Sequence, residues 1–191
     1  MGRLVAGLEA VIAEQVHGQD ETVLAFSAGL GSTLVGTIAR KRTGLVCRVV
    51  GVEDAPDVQA ARLAASFLDF RVSRVGVDPG RARAIAMDIE RDAPGLRRGE
   101  VLALVPAVAV RQDAGAERIL AGFGTTRLPA RVREALTSFG LFAPIALATQ
   151  ELPGRARLAA CAAALGLPHA FARPRRRAPL RGSDLASAFA K

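Results

Sequence analysis

Hydrophobic and polar positions follow two alternating patterns along this chain. Short apolar runs typical of β-strands are separated by longer segments in which apolar residues recur every three or four positions, as on one face of an α-helix. The predicted strands are 23–26, 45–52, 71–77, 118–121 and 141–148, the last an edge strand. The predicted helices are an N-terminal helix within 1–20 and segments 34–41, 57–68, 81–91, 100–112 (through Pro106), 132–139 and 155–165, with a loop at 92–99.

Strands that alternate with helices predict an α/β fold. We expect a Rossmann-like doubly wound sheet, mostly parallel, with about five strands and helices on both faces. The 191 residues are enough for a full hydrophobic core, and no repeat or linker divides them. We therefore expect one domain over 1–191, with the N-terminal helix in 1–20 and a basic C-terminal segment at 171–191.

The apolar content is high, yet the pattern does not predict a membrane protein. Apolar residues make up 50% of the chain, but no run reaches the roughly 18 to 20 residues that a membrane span needs. The N-terminal helix carries Glu9 and Glu14, which is typical of an amphipathic helix rather than a signal peptide. We expect a cytoplasmic protein with no membrane partner, and buried structural roles for the isolated Cys47 and Cys161.

The most informative segment is 22–33, TVLAFSAGLGST, in which an apolar run leads into a turn of small residues and then a helix. Small residues let backbone N–H groups converge, and the start of a helix adds partial positive charge, so this arrangement favours an anion. The turn has no acidic residue for a metal ion and no lysine for a phosphate. It is suited to binding an anion and poorly equipped to react with it.

Two other segments are expected beside this turn. In a doubly wound sheet, ligands bind beyond the carboxyl ends of the strands, where the strand order reverses. The turn at 27–33, the strand exit at 51–54 and the turn at 122–127 should therefore lie along one edge of the sheet.

In this order, these segments resemble the motifs of the PP-loop ATP pyrophosphatases, which belong to the adenine nucleotide alpha hydrolase superfamily. The resemblance is strongest to the synthetase domain of asparagine synthetase and its small archaeal relatives. Segment 27–32, SAGLGS, stands where that family has SGGxDS, and 121–130, AGFGTTRLPA, aligns with SGxGADELFGG. Gly51 with the helix that begins at Asp57, and the ending 176–183, RRAPLRGS, also resemble family features. The resemblance implies an adenine nucleotide site that binds ATP, or AMP and pyrophosphate.

The departures from the family pattern are chemical. The resemblance implies that the Asp of each motif holds Mg²⁺ on the triphosphate, and here Gly31 and Thr126 occupy those positions. Arg127 replaces the neighbouring Glu and is expected to contact a phosphate directly. Mg²⁺ prefers carboxylate and phosphate oxygens, so its binding is doubtful, and we assign no metal ligand and no catalytic residue. The predicted cofactor-binding residues are Ser27, Ala28, Gly29, Gly31, Ser32, Thr33, Gly51, Val52, Gly122, Gly124, Arg127 and Arg177.

Three functions stay open. The first is a divergent asparagine synthetase-like protein that binds an adenine nucleotide or pyrophosphate, with catalysis weak or lost, in effect a pseudoenzyme. The second is a scaffold or regulatory subunit that pairs with a partner or with a second copy. The third is an active ATP-dependent adenylating enzyme, an amide ligase or a tRNA-modifying enzyme, with metal ligands from Glu53, Asp54 or Asp57.

The charge of the chain favours anionic partners. The net charge is +8, and residues 151–191 carry eight Lys or Arg against two acidic residues. Such a segment suits nucleotide phosphates, RNA or an acidic protein surface. No RNA-recognition motif is present and only 4% of the residues are aromatic, so RNA binding has little support from the sequence.

Overall fold

The structure of the protein is a computed structural model that describes residues 2–148, 154–172 and 179–189. It contains a five-stranded sheet in which each paired strand is parallel to its neighbour. The spatial order is β3-β2-β1-β4-β5, with β1 (Glu21–Ala25), β2 (Gly44–Val50), β3 (Arg71–Val75), β4 (Ile119–Ala121) and β5 (Leu141–Phe142). The predicted doubly wound α/β fold is confirmed.

Helices cover both faces of the sheet. Within the described ranges they are α1 (Gly2–Val16), α2 (Leu30–Ala39), α3 (Pro56–Leu68), α4 (Pro79–Asp92), α5 (Arg98–Ala114), α6 (Ala130–Ser138), α7 (Pro144–Ala148), α8 (Gly154–Ala164), α9 (His169–Ala172) and α10 (Pro179–Gly182), followed by a 3₁₀ turn at Ala186–Phe189. Helices α1, α2, α3 and α8 enclose one apolar cluster with the sheet, and α4, α5 and α6 enclose the other.

Several helix boundaries follow from local chemistry. The Asp78 carboxylate accepts the backbone N–H of Arg81 at 2.9 Å, and Pro79 fills the first helical position of α4. Helix α5 passes through Pro106 as predicted and ends at Gly115, whose φ of 61° suits the left-handed end of a helix. Both ends of α4 and α5 extend slightly beyond the predicted segments, as helix ends commonly do.

Strand β1 lies in the middle of the sheet and contributes to both apolar clusters. Leu24 is fully buried in the cluster with α1 and α2, while Val23 and Ala25 pack against the other cluster. This alternation follows from the period of two along a strand. Because β2 and β4 pair with β1 on its two sides, the segment after β1 leaves the sheet at the point where the strand order reverses.

Two sequence predictions are wrong in position. Segment 141–148 was predicted as one edge strand, but β5 ends at Phe142 and α7 begins at Pro144, because proline suits the first turn of a helix and donates no sheet hydrogen bond. Helix α2 was predicted from residue 34, but it begins at Leu30. Gly31, Ser32 and Thr33 therefore belong to the first turn of a helix and not to the preceding loop.

None of the helices in the described ranges is long and apolar enough to span a membrane.

Candidate functional site

The predicted anion site follows β1 at the middle of the carboxyl edge. After β1, the backbone N–H of Phe26 still pairs with the carbonyl of Arg48 in β2 at 2.8 Å, and the chain then leaves the sheet at Ser27. Ser27 is exposed, whereas Ala28 is only 4% exposed. Thr33 N–H donates to the Gly29 carbonyl at 2.9 Å and closes the first turn of α2. The turn 27–29 thus connects the central strand directly to a helix start.

Two serine hydroxyl groups hold together residues 27–32, which are named the serine turn below. The Ser32 hydroxyl donates to the Gly29 carbonyl at 3.1 Å, and it accepts the Ser27 backbone N–H at 3.3 Å. The Oγ atoms of Ser27 and Ser32 lie 3.4 Å apart. Ser32 is 4% exposed, so its hydroxyl fixes the shape of the turn, while the exposed Ser27 presents its hydroxyl to solvent. Of the two predicted serines, Ser27 is the one a ligand can reach directly.

The backbone of the turn is strained at Ala28. Its φ is 51°, in the left-handed region that residues with a β-carbon rarely adopt. Such a conformation costs about 1 kcal/mol or more for a non-glycine residue. The residue is buried in the same apolar cluster as Leu30 and Leu34 of α2, so packing holds it there. Ala28 therefore shapes the turn through its backbone.

The turn after β4 meets the start of α2 in very close backbone contact. A β-carbon built on Gly31 would lie 2.1 Å from the Gly122 carbonyl oxygen and 2.9 Å from the Thr125 methyl carbon. A β-carbon built on Gly122 would lie 2.2 Å from the Ser32 nitrogen. Since real β-carbons are not found at such distances, both positions require glycine in this arrangement. The predicted meeting of the two turns is confirmed, and position 31 has no room for a side chain.

The other predicted residues of the β4 turn are placed differently. Gly124 has a φ of 106° and packs on the start of α7, where an added β-carbon would lie 2.6 Å from the Ala146 nitrogen. Thr126 and Arg127 are exposed in the loop before α6. Thr33 is fully buried, and its hydroxyl has no hydrogen-bond partner within the described part of the chain. Thr33 is therefore not accessible to a ligand in this conformation, and the predicted Arg177 lies outside the described residues.

The strand exit after β2 is partly covered by the C-terminal part of the chain. Gly51 is buried, and a β-carbon there would lie 2.8 Å from the Ala55 β-carbon and 3.0 Å from the Ser183 carbonyl oxygen. Val52 next to it is 44% exposed. The exit therefore lies on the same edge as the turn at 27–32, but Gly51 faces Ala55, Val58 and Ser183 and not open solvent. The sequence contained no local pattern that predicted this cover.

The three acids considered as alternative metal ligands already have partners or neighbours. Glu53 pairs with Arg62 and with Arg74, the latter at 3.1 Å, and the hydrogen bond and charge of Arg62 lower its pKa. Asp54 accepts the side-chain amide of Gln59 at 3.3 Å. Asp57 is 7% exposed and lies against the backbone of Gly182. Across the described residues, no three His, Cys, Asp or Glu side chains are grouped so that they could hold a metal ion.

Both cysteines are buried free thiols, as the sequence predicted.

Two surface cavities, of about 260 and 360 Å³, lie away from the serine turn. The smaller lies between the α4–α5 loop and α6, and the larger lies between α4, α5 and the C-terminal residues.

Comparison with known proteins does not identify a family for this chain. No family model matches the chain, and no curated protein matches it. Among solved structures, the chain is similar to one described as the predicted subunit of tRNA methyltransferase from Methanocaldococcus jannaschii. The two are 14% identical with a TM-score of 0.48, over 82% of this chain and 94% of the other. The fold assignment above rests on the strand order and pairing of this chain itself.

Proposed function

We propose that the serine turn, residues 27–32, binds the phosphate groups of an adenine nucleotide or of pyrophosphate, with catalysis weak or lost. The observation that carries the proposal is the position of this turn. It follows the central strand β1, leads directly into α2, and holds its shape through the Ser27–Ser32 hydrogen bonds. Anions bind at such places because helix-start N–H groups point outward and carry partial positive charge.

The surrounding residues favour binding over reaction. An adenylating enzyme uses a metal ion to neutralise charge as pyrophosphate leaves, and such a charge clamp supplies several kcal/mol. Position 31 has no room for a carboxylate, and Glu53 is engaged by two arginines. Arg127, exposed in the β4 loop, remains as a side chain that can reach toward a phosphate. These features support weak or lost catalysis, and the motif resemblance of 27–32 and 121–130 is the basis for proposing a divergent, asparagine synthetase-like PP-loop protein.

Isothermal titration calorimetry tests the proposal. ATP, AMP and pyrophosphate are titrated in EDTA and again with Mg²⁺ into wild type, Ser27→Ala and Arg127→Ala. Matched controls are Ser73→Ala, an exposed serine on β3, and Arg133→Ala, an exposed arginine on α6. We expect binding that survives EDTA and weakens about 10-fold in each site variant, the usual effect of losing one hydrogen bond to a charged group.

Three results would point elsewhere. The absence of heat with all three ligands at millimolar concentration would refute phosphate binding. Affinity that requires Mg²⁺ would support an active enzyme and direct attention to Glu53, Asp54 and Asp57. Loss of affinity in the control variants equal to that in the site variants would show nonspecific attraction to the basic surface, and a steep salt dependence with RNA would then favour an RNA partner.

A second candidate, the scaffold role, is favoured by one surface feature. Leu63 and Phe67, one turn apart on α3, are 59% and 69% exposed, and Phe67 lies 6.1 Å from the Phe171 ring. Neighbouring exposed apolar side chains are typical of an interaction surface. Sedimentation velocity of wild type and Phe67→Ser distinguishes the two roles. A dimer that the substitution dissociates supports pairing with a second copy, and a monomer in both removes that form of the role.

A further inference from the structure

The larger surface cavity, of about 360 Å³, is a groove between α4 and α5 that ends at the 3₁₀ turn, and it is named the α4–α5 groove below. The two helices line it with Arg83, Ala86, Met87, Glu90, Arg98 and Leu102. The four α4 positions share one face of that helix and extend over about 10 Å of its length. The volume is within the range of about 300 to 1,000 Å³ that is usual for small-molecule sites.

The middle of the α4–α5 groove is apolar. Ala86 is 6% exposed and Leu102 is partly buried, whereas Met87 is 68% exposed. The backbone N–H and C=O groups inside a helix are bonded within that helix, so this floor offers no hydrogen-bond partner to a ligand. A peptide or a sugar needs such partners along its length, and a hydrocarbon chain does not. The floor therefore favours a hydrocarbon chain, which would also cover the exposed Met87.

One end of the groove carries an arginine that the fold holds in place. Arg83 donates from Nε to the Ala188 carbonyl at 2.6 Å, and this bond fixes its guanidinium group beside the 3₁₀ turn. The two terminal nitrogens of the group have no hydrogen-bond or ion-pair partner among the residues that the structure describes. A guanidinium group with both terminal nitrogens available binds a carboxylate through two parallel hydrogen bonds. This end of the groove therefore favours a carboxylate.

The other end of the groove carries one charge of each sign. Glu90 lies near the end of α4, and Arg98 is the first residue of α5. Because only residues 93–97 connect the two packed helices, these side chains belong to the same end of the groove. Their opposite charges offset each other for an approaching anion. The net attraction for an anion in the groove is therefore at Arg83.

We propose that the α4–α5 groove binds a medium-chain monocarboxylic acid, with the carboxylate on the terminal nitrogens of Arg83 and the hydrocarbon chain over Ala86 and Leu102. The lining of the groove includes none of residues 27–32, so this site is independent of the proposed phosphate binding. A fully buried methylene group tightens binding about 4-fold, and one that an open groove half covers tightens it about 2-fold. Octanoate should therefore bind about 4-fold more tightly than hexanoate, which has two methylene groups fewer.

Isothermal titration calorimetry with octanoate, hexanoate and octylammonium tests the proposal. Arg83→Gln removes the charge at the end of the groove, and its matched control is Arg133→Gln, an exposed arginine on α6. Ala86→Met fills the floor, and its matched control is Ala84→Met, an exposed alanine on the same helix. Thermal unfolding followed by circular dichroism establishes that each variant is folded.

We expect octanoate to bind wild type with a dissociation constant of about 1 mM or below, which is ordinary for a ligand of this size. Octylammonium should give no heat, because its charge has the wrong sign for Arg83. Arg83→Gln should weaken octanoate binding about 10-fold, the usual effect of losing hydrogen bonds to a charged group. Ala86→Met should weaken it about 4-fold, because about two methylene groups lose their place on the floor. Both controls should stay within about 2-fold of wild type.

Four results would overturn the proposal. The first is an absence of heat with octanoate at about 10 mM, well above the expected dissociation constant. The second is equal affinity for octanoate and hexanoate, and the third is equal affinity for octanoate and octylammonium. The fourth is an equal loss in the controls and the groove variants, which would show a general attraction of carboxylates to the basic surface. If Arg83→Gln does not fold, Ala86→Met and Ala84→Met decide.

Discussion

The contact between Gly31 and the β4 turn makes the sharpest prediction about this protein. Gly31 and Gly99 each occupy the second position of a helix, α2 and α5 respectively. A β-carbon at Gly31 would lie 2.1 Å from the Gly122 carbonyl oxygen, whereas one at Gly99 would meet no atom within 4 Å. The substitutions Gly31→Ala and Gly99→Ala therefore add the same methyl group to the same helical position in opposite surroundings.

The two substitutions should change the free energy of unfolding in opposite directions. Gly99→Ala reduces the freedom of the unfolded chain and should leave the free energy of unfolding unchanged or raise it by up to about 1 kcal/mol. Gly31→Ala forces two backbones apart, because the blocking atom is a carbonyl oxygen that no side-chain rotation moves. Overpacking costs about 1 to 3 kcal/mol, and we expect the upper end because the β4 turn is also held at Gly124 against Ala146.

Urea unfolding followed by circular dichroism measures the difference between the two variants. A loss of about 3 kcal/mol in Gly31→Ala corresponds to a fall in Tm of about 6 to 12 °C for a chain of this size. The midpoint should move while the slope with urea stays unchanged, since the folded and unfolded surfaces are nearly the same. A Gly31→Ala protein within about 0.5 kcal/mol of Gly99→Ala would refute the close approach of α2 and the β4 turn.

Glu100, Ala28 and Cys47 each allow a further experiment. The hydrogen bonds from Arg131 lower the pKa of Glu100 below its ordinary 4.5. The carboxylate therefore stabilises the fold above pH 4.5 and loses this effect as the pH falls through the lower folded-state pKa. The Tm advantage of wild type over Glu100→Gln, measured from pH 7 to pH 3, should therefore shrink at the acid end. Ala28→Gly removes the strain of a φ of 51° and should stay within about 0.5 kcal/mol of wild type in urea unfolding, whereas Ala61→Gly in the interior of α3 should lose about 1 kcal/mol or more. Burial raises the pKa of Cys47 to about 12, so a thiol reagent at pH 8 should label it only after urea unfolds the protein; labelling of the folded protein would contradict its burial.

The order of strands and helices was predictable because hydrophobic periodicity reports which faces are buried. The start of α2 was not, because Gly29 provides no side-chain hydrogen bond to the helix and the run of small residues resembles a loop. The structure starts the helix at Leu30, which is 2% exposed and shares a buried face with the fully buried Leu34. In this segment, packing on the sheet decides the boundary and local propensity does not.

The end of β5 could have been predicted from the sequence of segment 141–148. Pro144 stands two residues after Phe142, and a proline within a strand-like run favours the end of that strand. The high apolar content of the run masks that signal. The helix α7 that follows matters for the candidate site, because Ala146 supports Gly124 in the β4 turn.

The position of the serine turn was predictable, but its neighbours were not. A strand followed by small residues and a helix is a local pattern, and the sheet order places it at the middle of the edge. The contact of Gly31 with Gly122 and the contact of Gly51 with Ser183 join segments far apart in the chain. No local periodicity reports such contacts, since they depend on how two backbones meet after the sheet has formed.

The glycines at positions 31 and 122 depend on each other. A side chain at Gly31 requires that the β4 turn stand away from α2, and the present approach of Gly122 to the Ser32 nitrogen requires that position 31 carry none. A substitution of Gly31 by aspartate would therefore bring its β-carbon against the Gly122 carbonyl oxygen. The backbone around position 31 thus excludes a side chain there, whatever its chemistry. Any phosphate bound at this turn must then be stabilised by backbone N–H groups, by the Ser27 hydroxyl and by arginine.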